Sequence, residues 1–185
     1  MVRYVALFGS INVGGNRLTM ADLRAAFEAE GFADVETVVA SGNVIFSHPE
    51  RPTRGLEEKL TLMVDDRFDM RCAALVRSRD ELAAAIADNP FAQTNEDKFV
   101  HTMFLDGQPT QAQFDALAAD KWIKPNERLA LGDRALYIEY GAGVSDSKLT
   151  ARLIERRLEH KGTARNMRSI ARIVAKLDEL EKGAA

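Results

Sequence analysis

An α+β fold made of two antiparallel-sheet units is predicted from three observations. Short β-prone runs alternate with helical periodicities in the order strand, helix, strand, strand, helix, strand across the first half of the chain. A similar order starts again after residue 97. The 185 residues are 46% hydrophobic and 29% charged, a balance that suits a soluble globular protein and excludes a disordered or membrane-embedded one.

Each element has a local reason. Tyr4 to Phe8 is short, apolar and β-prone, the pattern of a strand buried on both faces. A polar turn follows, Asn12-Val13-Gly14-Gly15-Asn16, and then Thr19-x-x-Asp22, an N-cap signature. Met20, Leu23 and Phe27 fall on one helical face, which ends at Gly31. Val35 to Ala40 and Val44 to Ser47 flank Ser41-Gly42, a hairpin signal. Leu56, Leu60, Met63 and Val64 repeat at helical spacing, Arg71 to Arg77 reads as a strand, and Ser78-x-x-Glu81 opens a short helix that stops at Asn89-Pro90.

In the second half, Phe99 to Leu105 reads as a strand and Thr110-x-x-Gln113 caps a helix through Phe114 and Leu117. Leu129 to Leu131 and Leu136 to Tyr140 flank the turn Gly132-Asp133-Arg134, and two helices close the chain, Lys148 to His160 and Asn166 to Glu181. The first order is that of the split βαβ, ferredoxin-like unit. The expectation is therefore two ferredoxin-like subdomains: 1–90, and a second, incomplete one over 98–185 with two C-terminal helices. Only the element order repeats; no residue-level repeat is evident.

The net charge of −3 conceals an asymmetry. From Lys148 to Lys176 there are nine Lys or Arg against Glu155 and Glu159, a net +7, which leaves about −10 for the rest. Cys72 is the single cysteine, so no intramolecular disulfide can form. Neither a signal-peptide core nor an apolar run of about 20 residues occurs, so a cytoplasmic protein is expected.

Familiar catalytic sets are missing. His48, His101 and His160 have no ligand-type spacing, and neither Gly-x-Ser-x-Gly nor Gly-Lys-Ser/Thr occurs. No metal, no cofactor and no catalytic residue is assigned. The Asn12 to Asn16 turn has the parts of an anion site: a strand runs into glycines and then into a helix start, whose N–H groups lack partners. Its structural reading is a tight turn with positive φ. Ferredoxin-like strand order, 4-1-3-2, would bring Asn12, Gly14 and Gly15 beside Ser41, Gly42 and Asn43, although Asn12 and Asn43 could equally serve loop backbone. Arg165, Arg168, Arg172 and Lys176 form a helical stripe that is read either as a solvated face or as a phosphate contact. Arg157 falls inside an apolar arc, as a snorkelling or an ion-paired side chain. Cys72 is read as a packed small hydrophobe and Trp122 as a core or interface aromatic.

At these motifs the chain resembles a bacterial family, the domain of unknown function 1697 family. The resemblance is carried by Val5-Ala6-Leu7 running into Ile11-Asn12-Val13-Gly14-Gly15, by Met20-Ala21-Asp22-Leu23 and by Gly31-Phe32. It continues in Ala40-Ser41-Gly42-Asn43-Val44-Ile45-Phe46, Ser147-Lys148-Leu149 and Gly162-Thr163-Ala164-Arg165-Asn166. It implies the same two-subdomain α+β fold and no established activity. Gly9 stands where the family usually has Arg, and Met167 where it has Trp. The resemblance also implies a third polar turn, Thr163 to Asn166, which adds Thr163, Arg165 and Asn166 to the ligand-binding set.

Three functions are weighed. The first is a binding module for a phosphate-bearing ligand, either a small nucleotide or nucleic acid, at the edge formed by the Asn12–Asn16 and Ser41–Asn43 turns. The second is an enzyme acting on a small polar metabolite at that edge. The third is a ligand-free scaffold that forms a homodimer. None involves a membrane.

Overall fold

The computed structural model describes residues 1–9, 11, 18–38, 42–49 and 53–183. They form two compact units, Met1–Ala83 with Arg172–Ala185, and Ala84–Ala171. This division differs from the expected one in two places. It falls ahead of Asn89-Pro90, and the last part of the chain groups with the first unit. Two ion pairs accompany the second difference: Lys176 Nζ lies 3.3 Å from Glu36 Oε2, and Arg79 Nε donates to Asp178 Oδ1 at 2.9 Å.

The first unit runs β1 (Val2–Phe8), α1 (Met20–Ala29), β2 (Ala33–Thr37), β3 (Asn43–His48), α2 (Thr53–Phe68) and β4 (Ala74–Ser78). Its sheet is antiparallel with order β2-β3-β1-β4. Tyr4 to Phe8 are all buried, as the apolar run predicts. Tyr4, Ala6 and Phe8 join Leu23 and Phe27 of α1 and Leu56, Leu60 and Val64 of α2 in one core. Thr19 caps α1, its hydroxyl accepting from Asp22 N at 3.1 Å. Ser78 and Glu81 form the predicted capping box of α3 (Arg79–Ala87), with Ser78 N donating to Glu81 Oε2 at 2.7 Å and Glu81 N to Ser78 Oγ at 3.2 Å.

The second unit contains β5 (Val100–Leu105), α4 (Gln111–Ala118), β6 (Arg128–Gly132), β7 (Ala135–Glu139), a 3₁₀ turn (Val144–Asp146), α5 (Ala151–Leu158) and β8 (Gly162–Asn166). α6 (Met167–Gly183) follows. Sheet order is β6-β7-β5-β8, again antiparallel throughout. The second ferredoxin-like unit is therefore complete, and its expected incompleteness is corrected by β8. One face packs on α4 and α5 through Met103, Leu105, Leu136, Ile138, Leu117, Leu153 and Leu158. The other buries Val100, Ala135 and Tyr137 with Phe91 and Met167. Met167 is thus a packing residue. α5 starts later than Lys148 because Thr150 takes an extended conformation and its hydroxyl accepts from Leu153 N at 3.2 Å.

Candidate functional site

In the first unit, the end of β1 meets the start of β3. Leu7 is the register partner of Asn43, and Phe8 N donates to Gly42 O at 2.8 Å. Gly42 has φ +74°, and a Cβ there would lie 2.9 Å from Ile11 Cδ1. Ile11, three residues past the first strand, thus packs close to the residue that precedes the third, and the positive φ of Gly42 favours glycine there. Asn43 is fully buried. Its side-chain amide donates to Val38 O at 3.0 Å while Val38 N donates to Asn43 O at 3.0 Å, so Asn43 ties both ends of the β2–β3 connection. Asn12, Gly14, Gly15 and Ser41 lie outside the described residues.

Thr163, Arg165 and Asn166 belong to the second unit, and they form an edge strand rather than a turn. Thr163 and Arg165 are buried on the same face of β8, where Arg165 NH1 donates to Thr163 Oγ1 at 2.7 Å and to Ala164 O at 2.9 Å. Burial pushes the Arg165 guanidinium down to about 10. Asn166 caps α6, accepting from Ser169 N at 2.9 Å. The first unit has the same device. Arg77 is buried on edge strand β4 and its NH1 donates to Val76 O at 2.8 Å, with Ser78 capping the next helix. This Arg-then-cap pair is the residue-level repeat that sequence comparison within the chain misses. The expected helical stripe is corrected accordingly: Arg165 lies on a strand, and Lys176 is paired with Glu36 and Glu179.

Other chemistry is accounted for locally. Among the described residues no group of three His, Cys, Asp or Glu is placed to hold a metal ion. His160 Nδ1 lies 3.1 Å from Asp106 Oδ1, which also accepts from Lys161 N at 3.2 Å, an arrangement that pins the start of β8. Cys72 packs against the first core, and burial raises its thiol to about 11, out of the range of a reactive thiolate. Among the described residues no helix is long and apolar enough to cross a membrane.

Sequence reasoning overlooked one constellation. Asp120, which follows α4, accepts from Trp122 N at 3.0 Å through Oδ1, and from Arg157 Nε at 2.9 Å and NH2 at 2.6 Å through Oδ2. Arg157 is thus the ion-paired alternative, fastening the Trp122 loop to α5. Trp122 itself is 42% exposed, which removes the core alternative from its reading as a core or interface aromatic. The signal in the sequence was Asp-Lys-Trp after a helix, with an Arg in an apolar arc that had no partner in its own helix. The Trp122 amide first, and then the Arg157 hydrogen bond, hold the Asp120 carboxyl below its usual value. A depressed carboxyl contributes stability that is fully present above the unfolded value of about 3.9 and is lost as pH falls through the lower folded value. Trp122 emission is therefore expected to hold steady down to about pH 4 and to change only below it. Asp120→Asn should show altered emission already at neutral pH. A wild-type transition above the ordinary carboxyl range would contradict this.

The family model described as a protein of unknown function (DUF1697) matches residues 1–137. That stretch takes in the motifs up to Phe46 and stops ahead of the Ser147 and Gly162 motifs. The solved structure of the conserved bacterial protein SP0830 from Streptococcus pneumoniae is similar, with a TM-score of 0.73 at 22% identity, over 96% of this chain and 99% of that one. At that identity the likeness concerns the fold. No curated protein matches the chain.

Proposed function

The chain belongs to the DUF1697 family of proteins of unknown function, and since that membership carries no activity, we propose from its own geometry that it is a binding module for a phosphate-bearing ligand, a nucleotide or nucleic acid, at the first-unit corner formed by the Asn12–Asn16 and Ser41–Asn43 turns. One observation carries the reading: Phe8 N donates to Gly42 O at 2.8 Å, joining the end of the first strand to the residue ahead of the third, which supports the two polar turns lying side by side. α1 adds a helix N-terminus downstream of the first turn, where the helix dipole favours negative charge and Asp22 already stands in the first turn. Asn43 contributes by holding its turn in shape, since its amide is engaged with Val38. A cytoplasmic setting goes with this reading and is supported by the single cysteine.

Calorimetric titration with nucleotides and with short RNA and DNA, at low and moderate salt, tests the proposal. Binding should weaken with salt, as phosphate contacts do. Asn12→Ala should weaken it about tenfold, the scale of one lost hydrogen bond to a charged group. Absence of heat with every probe, or unchanged affinity in Asn12→Ala, would overturn it.

A further inference from the structure

The second unit carries an open cleft of about 340 Å³ lined by Trp122, Lys148, Thr150, Arg152, Leu153 and Arg156. Its size is at the lower end of small-molecule sites, which run from about 300 Å³ upward. Its chemistry is one-sided. Among the described residues, Lys148, Arg152 and Arg156 have no ion-pair partner. Elsewhere on the chain Arg24, Arg67, Arg79 and Arg128 each find a carboxylate. Three cations without an ion pair thus meet where an exposed indole stands. Lys148 Nζ lies 4.8 Å and Lys121 Nζ 5.1 Å from the Trp122 ring centroid, so four basic side chains surround one aromatic platform on a protein whose net charge is negative.

The platform is held in place. Asp120 binds the Trp122 amide with one oxygen and the Arg157 guanidinium with the other, so the loop and α5 are fixed to each other before any ligand arrives. α5 also begins at the cleft. Thr150 satisfies the Leu153 amide, and the preceding N–H groups of the first turn have no intrahelical acceptor. Arg152 and Arg156, four residues apart on α5, lie on one side of that helix.

We propose that this cleft binds a nucleotide unit, its base stacked on Trp122 and its phosphate held by Lys148, Arg152, Arg156 and the first turn of α5. Guanidinium groups are matched to phosphate oxygens, and base–indole stacking supplies the planar contact. Lys148, on a flexible stem, moves its ammonium from the ring to the phosphate as the base takes its place. The unit is either a free nucleotide or one residue of a single strand; both present the same base and phosphate. The site shares no residue with the first-unit corner and goes beyond the proposal made for it.

Trp122 is the only tryptophan in the sequence, so indole fluorescence of the full chain reports this cleft without background. AMP and a short single-stranded oligodeoxythymidylate are titrated separately, with ribose 5-phosphate as the phosphate that lacks a base. Saturable quenching by AMP identifies a free nucleotide, and quenching by the oligonucleotide alone identifies a strand; either supports the proposal. Ribose 5-phosphate should not quench. Arg152→Gln with Arg156→Gln should weaken binding at least tenfold. Trp122→Leu, followed by calorimetry, should erase the preference for AMP or the strand over ribose 5-phosphate. Both changes are at exposed or cleft-lining positions, and an unchanged thermal transition checks folding. Asn12→Ala should leave the quenching intact, which separates this site from the corner. Neither probe quenching, quenching that survives the double Gln variant, or equal binding of ribose 5-phosphate would each overturn the proposal.

Discussion

Glu57→Ala should destabilise the protein by about 3–5 kcal/mol, the range for removing one member of a buried ion pair. The reason lies in how the first sheet is closed. β4 is an edge strand, and the amides of Ala74, Val76 and Ser78 are bonded to side chains rather than to another strand. Ala74 N donates to Thr61 Oγ1 at 3.2 Å, Val76 N to Glu57 Oε1 at 3.0 Å, and Ser78 N to Glu81 Oε2 at 2.7 Å. Thr61 and Glu57 are one turn apart on α2, so that helix takes two of the three edge donors. Glu57 Oε1 also accepts from Arg77 NH1 at 2.8 Å, and the two side chains are only 7% and 3% exposed. Truncation at Glu57 leaves a buried amide without its acceptor and a buried guanidinium without this carboxylate. Each loss is costly because water does not reach either group. Glu57→Gln keeps an acceptor for Val76 and should cost less, about 1–2 kcal/mol. Urea denaturation checks both values, with the slope unchanged if only the folded state is affected. A Glu57→Ala variant within about 1 kcal/mol of wild type would mean that the edge is not closed by this carboxylate.

Much of the fold was legible because its signals are local. The capping motifs at Thr19, Ser78 and Thr110 each mark a helix start in the structure. The run from Tyr4 to Phe8 is a central strand buried on both faces, which continuous apolar sequence announces. β8 was hidden for the opposite reason. In Gly162-Thr-Ala-Arg-Asn the polar Thr163 and Arg165 point inward and Ala164 points out, so the hydrophobic alternation that identifies a strand is inverted. Gly162 looks like a turn residue, yet its role is close approach: a Cβ there would fall 2.6 Å from Phe104 O across the strand pair. The missed strand then moved Arg165 onto a helix face where it does not lie.

The candidate sites divide along the same line. The pairing of the end of β1 with the start of β3 followed from strand order, a property that sequence order of elements encodes. The Trp122 cleft depends on Asp120 meeting Arg157 across 37 positions of chain, a pairing no local pattern records. Its basic residues were visible only as a charge excess. The structure sorts part of that excess into buried Arg165, the ion-paired Arg157 and Lys176, and Lys148, Arg152 and Arg156 at the cleft.

Phe27→Ala should cost about 3–5 kcal/mol, as truncation of a fully buried Phe does. Phe27 is the middle of an aromatic cluster. Its ring lies 6.0 Å from Phe8 edge-on, 5.2 Å from Phe32 and 5.4 Å from Phe46, joining α1 to both central strands of the first sheet. No water can enter to fill the space, because the lining is apolar. The cost is therefore lost transfer free energy plus the cavity, and it scales with how little the rings can collapse. Phe27→Leu keeps most of the volume and should cost about 1–1.5 kcal/mol. Phe32 makes a useful contrast, because Lys59 Nζ sits 4.7 Å from its ring centroid and His48 5.4 Å away, which places Phe32 at the polar rim of the cluster. Phe32→Ala should cost less than Phe27→Ala in the same urea titration. Equal costs at the two positions would mean that the cluster has no defined centre. The order Phe27 above Phe32 would show that α1, and with it the helix start next to the first polar turn, is held chiefly by this one ring.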